Sequence, residues 1–493
     1  MGAGKAEPPS KNSLTVTDNR TGKTINVPIK NNSIPATAFK KLNKSQEIGE
    51  SNQDDVETGI RVFDPGFMNT AVIESTITYI DGENGVLRHR GYPIEQLAEK
   101  SSFLEVAFLL VYGELPSKEQ FNLFEREVLH HSYVHRDLEK IVSQFSDQAH
   151  PMSIMISAFA ALGTFDQGAN PALAGQKLYA NGGTRANLEA MDKQIFRLIG
   201  KAITVAAMAW RTYQGRPFNS PPTGSHLDYT STFLYMLDNL NEKDYRPHPV
   251  FVRALDVLFM VHADHELNAS AAAMLQVGST LADPYSCVAA ATAALYGPLH
   301  GGANEAVIRM LMQIGSPENV PAYLEKVKRK EAVLSGFGHR VYRTTDPRSR
   351  IVKQVAEEVF AVTGKDELLE TALALHDAAM KDDYFISRRL GANIDMWTGL
   401  IYRAMGFPTQ YYTILFTVPR VVGWLAHWRQ QMLQKGGVKI WRPRQLYVGE
   451  GRRDYVPIDK RTPEMTTPKV PSGEPTKVPH NYSKRWILSQ QKL

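Results

Sequence analysis

The chain has 493 residues, of which 43% are hydrophobic and 22% charged, as in a soluble globular protein. Its net charge of +5 is small for this length, and no long run of lysine and arginine occurs. Nucleic acid is therefore disfavoured as a partner, while small anionic ligands remain open. Cys287 is the only cysteine, which excludes an intrachain disulfide framework and a cysteine-ligated metal cluster.

The ends of the sequence and its hydropathy indicate a cytoplasmic protein. The first residues, MGAGKAEPPSKNS, lack the apolar core of a secretory signal and the arginine-rich pattern of a mitochondrial presequence. No apolar run reaches transmembrane length, so no membrane partner is expected. The chain ends Gln491-Lys492-Leu493, one residue from the Ser-Lys-Leu peroxisomal signal. We expect a cytoplasmic location, with a peroxisomal one as the alternative.

Two short β-hairpins are predicted near the N-terminus. Leu14–Thr17 and Thr24–Ile29 alternate apolar and polar residues on either side of a turn. Residues 30–58 are polar and predict a linker or partly ordered arm. Thr76–Ile80 and Val86–His89 flank the turn sequence Asp-Gly-Glu-Asn-Gly, which predicts the second hairpin.

Helices dominate the rest of the chain. Ser102 with Glu105, and Ser117 with Gln120, form capping-box patterns that begin two helices. Residues 163–184 are rich in glycine and asparagine and predict a surface loop. The fold class is therefore mainly α. Apolar periodicity predicts further helices at 151–162, 186–214, 229–240, 248–262, 269–281, 284–296, 305–314, 317–329, 348–363, 366–381, 395–405, 409–416 and 421–434.

A glycine-rich turn carries the first candidate catalytic residue. Residues 297–305, Gly-Pro-Leu-His-Gly-Gly-Ala-Asn-Glu, separate two helical patterns, and Asn304 is placed to cap the second helix. His300 then lies at the positive end of the helix dipole, which disfavours imidazolium. A neutral histidine there can donate a hydrogen bond to a carbonyl group and stabilise an enol. The alternative is a glycine-rich helix connection with an incidental histidine.

Two further segments contain histidines. Residues 261–268, Val-His-Ala-Asp-His-Glu-Leu-Asn, hold two histidines and two acids, a set that also occurs in metal sites. Since no matching cysteine or histidine cluster occurs elsewhere in the sequence, we expect no metal. In residues 335–343, alternating glycines let the backbone approach a ligand, and His339 projects from the loop. Arg343 and Arg348 continue the positive charge; the alternative is a solvated basic loop.

The remaining candidates are one acid and two arginines. Asp395 lies between apolar neighbours at a predicted helix start, as either an N-cap or a partly desolvated carboxylate with a raised pKa. Arg420 lies in the apolar run 416–424 and needs an internal carboxylate or a bound anion. Arg442 lies in a proline-stiffened turn that also suits an exposed basic surface. Together these groups suit a site that binds a polycarboxylate, polarises a ketone and removes a carbon-bound proton.

The sequence resembles the citrate synthase family, in its bacterial-like form, from about Leu14 to Tyr455. The family also includes enzymes that form 2-methylcitrate and other alkylcitrates. Seven stretches in family order carry the resemblance: ITYIDGENGVLRHRGYPIEQL, HADHELNAS, YGPLHGGANEAV, GFGHRVYRTTDPR, NIDMWTG, LFTVPRVVGWLAHW and RPRQLYVGE.

The resemblance implies a two-domain helical fold in which the smaller domain closes over the substrates. Residues 1–58 would form an N-terminal arm with a small β-hairpin, 59–301 the large domain and 302–409 the small domain. Residues 410–442 would return to the large domain, and 443–493 would form an extended C-terminal tail. Closure suits the chemistry, because a wet site would protonate an enol and hydrolyse the thioester.

The resemblance also implies three catalytic residues. Asp395 matches the base that removes a proton from the carbon beside the thioester carbonyl of acetyl-CoA. His300 matches the neutral histidine that donates a hydrogen bond to that carbonyl oxygen. His339 matches the residue that polarises the ketone of oxaloacetate and helps to protonate the new alkoxide.

Binding residues follow from the same matches. Arg442 matches an arginine lent by the partner subunit, so the resemblance implies a homodimer or a higher homo-oligomer. Arg343 matches a contact with a phosphate of CoA, and Phe416 an aromatic residue near the reacting carbons. The matched oxaloacetate ligands are His265, Arg348 and Arg420. The matched adenine-binding loop is Ser335, Gly336, Phe337 and Gly338.

The implied reaction joins acetyl-CoA to oxaloacetate and then hydrolyses the citryl thioester to citrate and CoA. Acyl-CoA is a co-substrate, and no metal or redox cofactor is needed. The alternative is a 2-methylcitrate or alkylcitrate synthase that uses propionyl-CoA or a longer acyl-CoA. A citryl-CoA lyase and a non-catalytic helical assembly protein rank lower: the sequence shows no nucleotide-binding domains, and His300, His339 and Asp395 are all retained.

Overall fold

The computed structural model describes residues 11–42, 59–222, 226–339, 341–364 and 366–461. The chain divides into two compact units, Met1–Val72 with Pro443–Leu493, and Ile73–Arg442. The division into a large and a small closing domain stays a prediction.

The first unit contains the N-terminal hairpin. Strand β1 (Ser13–Asp18) pairs antiparallel with β2 (Lys23–Pro28), so that Leu14 lies opposite Val27. Asp18 stabilises the turn because its carboxylate accepts hydrogen bonds from the backbone and guanidinium of Arg20. The predicted hairpin is confirmed.

The remainder of the first unit has little regular structure among the described residues. Short 3-10 helices occur at Ala36–Lys41 and Ile458–Lys460. Parts of the predicted arm, residues 1–10 and 43–58, lie outside the described residues, as do residues 462–493 of the predicted tail.

The second unit begins with a small antiparallel sheet. Strand β3 (Thr78–Asp81) pairs with β4 (Val86–His89), as predicted, and β5 (Tyr92–Pro93) adds a third strand that was not predicted. Between β4 and β5 the chain reverses through Arg90 and Gly91, both at positive φ.

Helices form the rest of the second unit. The capping boxes of Ser102 with Glu105 and of Ser117 with Gln120 are both present, as predicted. None of the described helices is both long and apolar enough to span a membrane. The helices are α1 (Ile94–Lys100), α2 (Phe103–Tyr112), α3 (Lys118–His130), α4 (Arg136–Val142), α5 (Pro151–Leu162), α6 (Pro171–Ala174), α7 (Arg185–Tyr213), α8 (Tyr229–Asp238), α9 (Pro249–His262), α10 (Ala269–Gly278), α11 (Pro284–Tyr296), α12 (Ala303–Ile314), α13 (Val320–Lys328), α14 (Pro347–Thr363), α15 (Glu367–Lys381), α16 (Asp383–Ser387), α17 (Asp395–Ala404) and α18 (Tyr412–Met432).

Helix α18 lies at the centre of the second unit. Every residue from Tyr412 to Trp428 is buried, including Trp424. Such a helix is apolar on all sides because it has no solvent face. Each fully buried large apolar side chain contributes about 1.5–3 kcal/mol. The helices that pack on it are α2, α5, α7, α9, α10, α11 and α12.

The prediction of two helices at 409–416 and 421–434 is wrong, because α18 runs through both segments without a break. Pro419 lies inside it. A proline in a helix interior loses one backbone hydrogen bond and costs about 3 kcal/mol. Burial on every side of α18 outweighs this cost, and Arg420 thereby lies in the middle of a buried helix.

Three other local predictions also differ from the structure. Asn304 does not cap α12; the N-cap is Gly302, and Asn304 lies buried within the helix. The predicted loop 163–184 contains two 3-10 turns and the short helix α6. Helices α1, α4 and α16 were not predicted, because five to seven residues are too few to show a helical period.

Packing brings the ends of several helices towards α18. Helix α17, which begins at Asp395, packs on α12 and α14, and α14 packs on α9. Helix α9 ends at His262, directly before the Ala-Asp-His segment, and it also packs on α18. The candidate residues therefore come from helix ends and turns around the middle of α18.

Candidate active site

Seven predicted site residues lie around the middle of α18. The guanidinium carbon of Arg420 is 4.6 Å from the ring centre of Phe416, which is 6.5 Å from the ring centre of His300. The ring centres of His265 and His339 are 5.2 Å apart. The charges of Arg348 and Arg420 both act on Asp395. The seven are His265, His300, His339, Arg348, Asp395, Phe416 and Arg420.

His300 is held as a neutral hydrogen-bond donor. Its Nε2 accepts the backbone N–H of Ser270 at 3.3 Å and lies 2.9 Å from the Ser270 hydroxyl. Because Nε2 accepts a hydrogen bond from the backbone, the proton of the neutral ring is assigned to Nδ1. Burial, with the charge of Arg420, lowers the pKa of His300 to about 4. The helix N-terminus that donates to the ring is that of α10, which contains Ser270. The sequence had instead predicted that His300 lies at the start of α12.

His339 is also neutral, with the opposite nitrogen protonated. Its Nδ1 accepts the backbone N–H groups of Val341 at 3.0 Å and Tyr342 at 3.2 Å. The ring proton therefore lies on Nε2, which makes it the donor nitrogen of the ring. Burial lowers the pKa of His339 to about 4, and the charge of Arg348 adds to this effect.

Tyr342 belongs to the site although the sequence did not single it out. Its hydroxyl lies 3.2 Å from Nε2 of His265, and its ring centre is 4.7 Å from that of His339. Tyr342 is buried, and burial keeps the pKa of His265 well below its ordinary value. In the sequence, the basic residues dominate this segment, and a single tyrosine among them carries no separate signal of a site.

Asp395 is a partly buried carboxylate rather than a helix cap. It is the first residue of α17, and its carboxylate does not cap the helix. Its backbone N–H donates a hydrogen bond to the side chain of Asn393. Burial raises the pKa of Asp395 to about 6, against the opposing charges of Arg348 and Arg420. Its Oδ1 is buried and makes no hydrogen bond with the described residues. A carboxylate of this kind suits a general base.

The two buried arginines, Arg348 and Arg420, differ in their ion-pair and hydrogen-bond partners. Arg348 forms a two-pronged ion pair with Asp346, at 3.0 and 2.7 Å, and donates to the Val261 carbonyl. In Arg420, Nε donates to the His262 carbonyl at 2.6 Å, and no carboxylate in the described part of the chain is within ion-pair distance. Burial lowers the pKa of Arg420 to about 9. Of the two alternatives that the sequence left for Arg420, the absence of an ion-paired carboxylate among the described residues favours a bound anion over an internal carboxylate.

A buried hydrogen-bonded cluster lies next to His265 in sequence. The carboxylate of Asp264 accepts the Thr78 hydroxyl at 2.5 Å and lies 3.2 Å from Nε2 of His427. The Thr78 hydroxyl also lies 2.9 Å from Nδ1 of His89. Burial alone would raise the pKa of Asp264, but His427, His89 and Thr78 together lower it to about 2. Asp264 is therefore a buried anion next to the site, and its charge opposes the fall in the pKa of Arg420.

The predicted CoA loop pairs with the segment before Asp395. Gly336 and Gly338 have φ of +80° and +77°, so the loop needs glycine at both positions. Phe337 forms a β-bridge with Ala392. Arg343 lies at the surface, 4.0 Å from the Glu83 carboxylate.

Arg442 is not joined to these residues by any contact in the described part of the chain. It is exposed, and the preceding Trp441 is fixed to α10 through Gln276 and Ser279. A single chain therefore presents this arginine outward, beside α10.

Comparisons with known proteins identify the family of the chain. A family model described as "Citrate synthase, C-terminal domain" matches residues 66–444. A citrate synthase of Dictyostelium discoideum is 51% identical over 92% of this chain and 85% of its own length. A peroxisomal citrate synthase of the same organism is 52% identical over 92% of this chain and 88% of its own. The crystal structure of citrate synthase from Pyrobaculum aerophilum matches 85% of this chain and all of its own, with TM-score 0.73 and 33% identity.

The matched region contains the whole of the site, and the relatives are matched over most of their own length. A mainly α fold and the enzyme class of the acyltransferases follow from the same comparisons. The chain belongs to the citrate synthase family.

Proposed function

We propose that this protein joins acetyl-CoA to oxaloacetate and hydrolyses the citryl thioester to citrate and CoA. The observation that carries the proposal is the state of the two imidazoles. One nitrogen of His300 and one of His339 accept backbone N–H groups, so the other nitrogen of each ring donates. Two neutral donors near one buried carboxylate suit a reaction that makes an enol and attacks a ketone.

Enolisation is assigned to Asp395 and His300. Asp395 takes a proton from the methyl carbon of acetyl-CoA while His300 Nδ1–H donates to the thioester oxygen, where negative charge develops. Burial raises the pKa of Asp395 to about 6, which makes it a stronger base than an exposed aspartate. A histidine whose pKa is about 4 does not protonate the enolate prematurely at neutral pH.

Condensation is assigned to His339 and the arginines. Oxaloacetate places its carboxylates against Arg420, Arg348 and His265, and its ketone oxygen at Nε2–H of His339. The enol carbon attacks the ketone carbon, and the alkoxide takes the proton of His339 Nε2, which the ring regains from water before the next turnover. Guanidinium forks bind planar carboxylates with two parallel hydrogen bonds. Hydrolysis then cleaves the citryl thioester, and its free energy draws the condensation forward.

An acyl-CoA series tests this function and its alternative. Purified protein with oxaloacetate should release free CoA faster from acetyl-CoA than from propionyl-CoA or longer acyl-CoAs. A preference for a longer chain would instead indicate a 2-methylcitrate or alkylcitrate synthase. The Asp395→Ala variant should lose activity by about 10²–10⁴-fold, the usual contribution of a general base. CoA release at the parent rate by this variant would contradict the assignment of the base.

We further propose that no metal or redox cofactor takes part. Every step above moves protons between side chains and substrates, and the arginines neutralise the carboxylates. Dialysis against EDTA should therefore leave the rate of CoA release unchanged, and a loss restored by a divalent cation would refute this.

Arg442 is proposed to complete the site of a partner subunit in a homodimer or higher homo-oligomer. Its exposed position beside α10 supports this role. Subunits carrying Arg442→Ala and Asp395→Ala should recover activity when mixed and reassembled, because one site of each hybrid has both residues. A mixture of Asp395→Ala with His300→Ala is the control and should recover none. Equal recovery in both mixtures, or none in either, would contradict the shared site.

The compartment is proposed to be peroxisomal rather than cytoplasmic. The support is the name of the peroxisomal relative from Dictyostelium discoideum, 52% identical over 92% of this chain. A full-length chain with an N-terminal fluorescent fusion should colocalise with a peroxisomal marker. Diffuse cytoplasmic fluorescence would restore the original expectation.

A further inference from the structure

We propose that Asn393 is a positioning residue that joins the loop carrying His339 to the helix start carrying Asp395. The role rests on the proposed function, since it concerns the placement of the residue that polarises the ketone and of the carbon base.

Asn393 contacts both segments with its side chain. Its Oδ1 accepts the N–H of Asp395 at 3.0 Å, and its Nδ2 donates to the Gly338 carbonyl at 2.9 Å. Its backbone N–H donates to the Gly336 carbonyl at 2.9 Å. The carboxamide of Asn393 thus donates one hydrogen bond and accepts another at the same time. It links two chain segments that are 55 residues apart.

The two segments are paired along their length. Gly338 donates its N–H to the Gly391 carbonyl at 2.7 Å, and Phe337 forms a β-bridge with Ala392. Gly336 lies so close that an added Cβ would be 3.3 Å from the Cα of Met396. His339 directly follows this pairing, as Asp395 does on the other side. The position of one catalytic residue is therefore coupled to that of the other.

Asn393 also leaves the Asp395 carboxylate uncommitted. In five other described helices, an aspartate at the N-cap position uses its carboxylate as the cap. At α17 the N-cap residue is Ile394, whose side chain forms no capping hydrogen bond. The side chain of Asn393 instead accepts a hydrogen bond from the backbone N–H of Asp395. The base therefore keeps its oxygens for the substrate. The aspartates that cap are Asp228, Asp283, Asp346, Asp366 and Asp382.

Three substitutions separate the two contacts of the side chain. Asn393→Ala removes both. Asn393→Asp and Asn393→Ser keep an oxygen that can accept the N–H of Asp395, as both residues commonly do at helix starts. Neither can donate to the Gly338 carbonyl in the way that the amide does. Thr184→Ala is the matched control, because Thr184 caps α7 through a single hydrogen bond to the N–H of Asn187.

If Asn393 positions the catalytic residues, kcat for CoA release should fall about 10- to 100-fold in all three variants, as expected for displacements near 1 Å. KM for oxaloacetate should change much less, because the buried arginines and His265 are untouched. Exchange of the acetyl-CoA methyl protons with deuterated water, in the presence of a non-reacting oxaloacetate analogue, should slow in parallel. The Asp and Ser variants should retain most of the parent unfolding midpoint, and Thr184→Ala should lower the midpoint while leaving kcat unchanged.

A parent-like kcat in both Asn393→Asp and Asn393→Ser would show that Asn393 is only a helix cap and would overturn the proposal. These two variants keep the test decisive even if Asn393→Ala does not fold. Failure of the proposed function is distinct, since the parent protein would then release no CoA from acetyl-CoA and oxaloacetate.

Discussion

Replacement of Asp395 by asparagine should stabilise the protein while removing its activity. Burial raises the pKa of the carboxylate to about 6, compared with 3.8 for an ordinary aspartate, although the charges of Arg348 and Arg420 oppose the rise. Below pH 3.8 the group is protonated in both the folded and the unfolded chain and costs the fold nothing. As the pH rises through 6, the folded chain must hold a desolvated charge that the unfolded chain holds in water.

The size of the effect follows from the two pKa values. At about 1.4 kcal/mol for each pKa unit, the ionised group destabilises the fold by about 3 kcal/mol at pH 8 and by about 1 kcal/mol at pH 4.5. The asparagine side chain resembles the protonated carboxyl and does not ionise. The Asp395→Asn variant should therefore gain about 3 kcal/mol of unfolding free energy at pH 8, and only about 1 kcal/mol at pH 4.5.

Urea unfolding of the parent and variant at these two pH values tests the prediction, with CoA release measured in parallel. Asp346→Asn is the matched control, because burial would raise the pKa of Asp346 but Arg348 holds it below its ordinary value. Above pH 4.5 this group is ionised in both states, so breaking the buried pair should cost about 3–5 kcal/mol at both pH values. An Asp395→Asn gain that is absent, or that does not grow with pH, would refute the desolvated base.

Two further substitutions test residues around the site. Gly423→Ala would place a Cβ 2.5 Å from Oδ1 of Asp264, so calorimetry should show a loss of about 1–3 kcal/mol in unfolding free energy. Gly451→Ala is the control and should show no loss, because its Cβ would meet no neighbour within 4 Å. Equal stability of the two variants would contradict the close packing around Gly423. Tyr342→Phe removes the hydroxyl that lies 3.2 Å from His265 Nε2, so KM for oxaloacetate should rise about 5- to 10-fold with kcat little changed. An unchanged KM would show that the hydroxyl does not orient the histidine.

Much of the helical architecture could be predicted from local chemistry. Ser102 and Ser117 begin helices with both hydrogen bonds of the capping box, because the signal lies within four consecutive residues. The first hairpins likewise follow from alternation around a short turn. Asp395 and Arg420 stand out in the sequence because each is a charged residue with apolar neighbours. A charge in such a segment needs a partner from another part of the fold or from a ligand.

The partners of those charges could not be predicted, since they come from distant parts of the chain. Thr78 and His89 of the small sheet meet Asp264 and His427, which lie more than 170 residues later, and no local pattern connects them. Pro419 misled the helix prediction for a related reason. A proline signals a break when the helix is considered alone, whereas here the surrounding helices determine that α18 continues.

The site depends on how the chain supplies two different neutral histidines from the same residue type. His300 presents Nδ1–H because the start of a neighbouring helix donates to Nε2, and His339 presents Nε2–H because the turn after it donates to Nδ1. In each case a backbone amide selects the tautomer, and burial beside an arginine keeps the ring uncharged. A side-chain partner could be lost by many single substitutions, but a backbone N–H is lost only when proline occupies the position. The protonation pattern of the site is therefore determined by the path of the main chain.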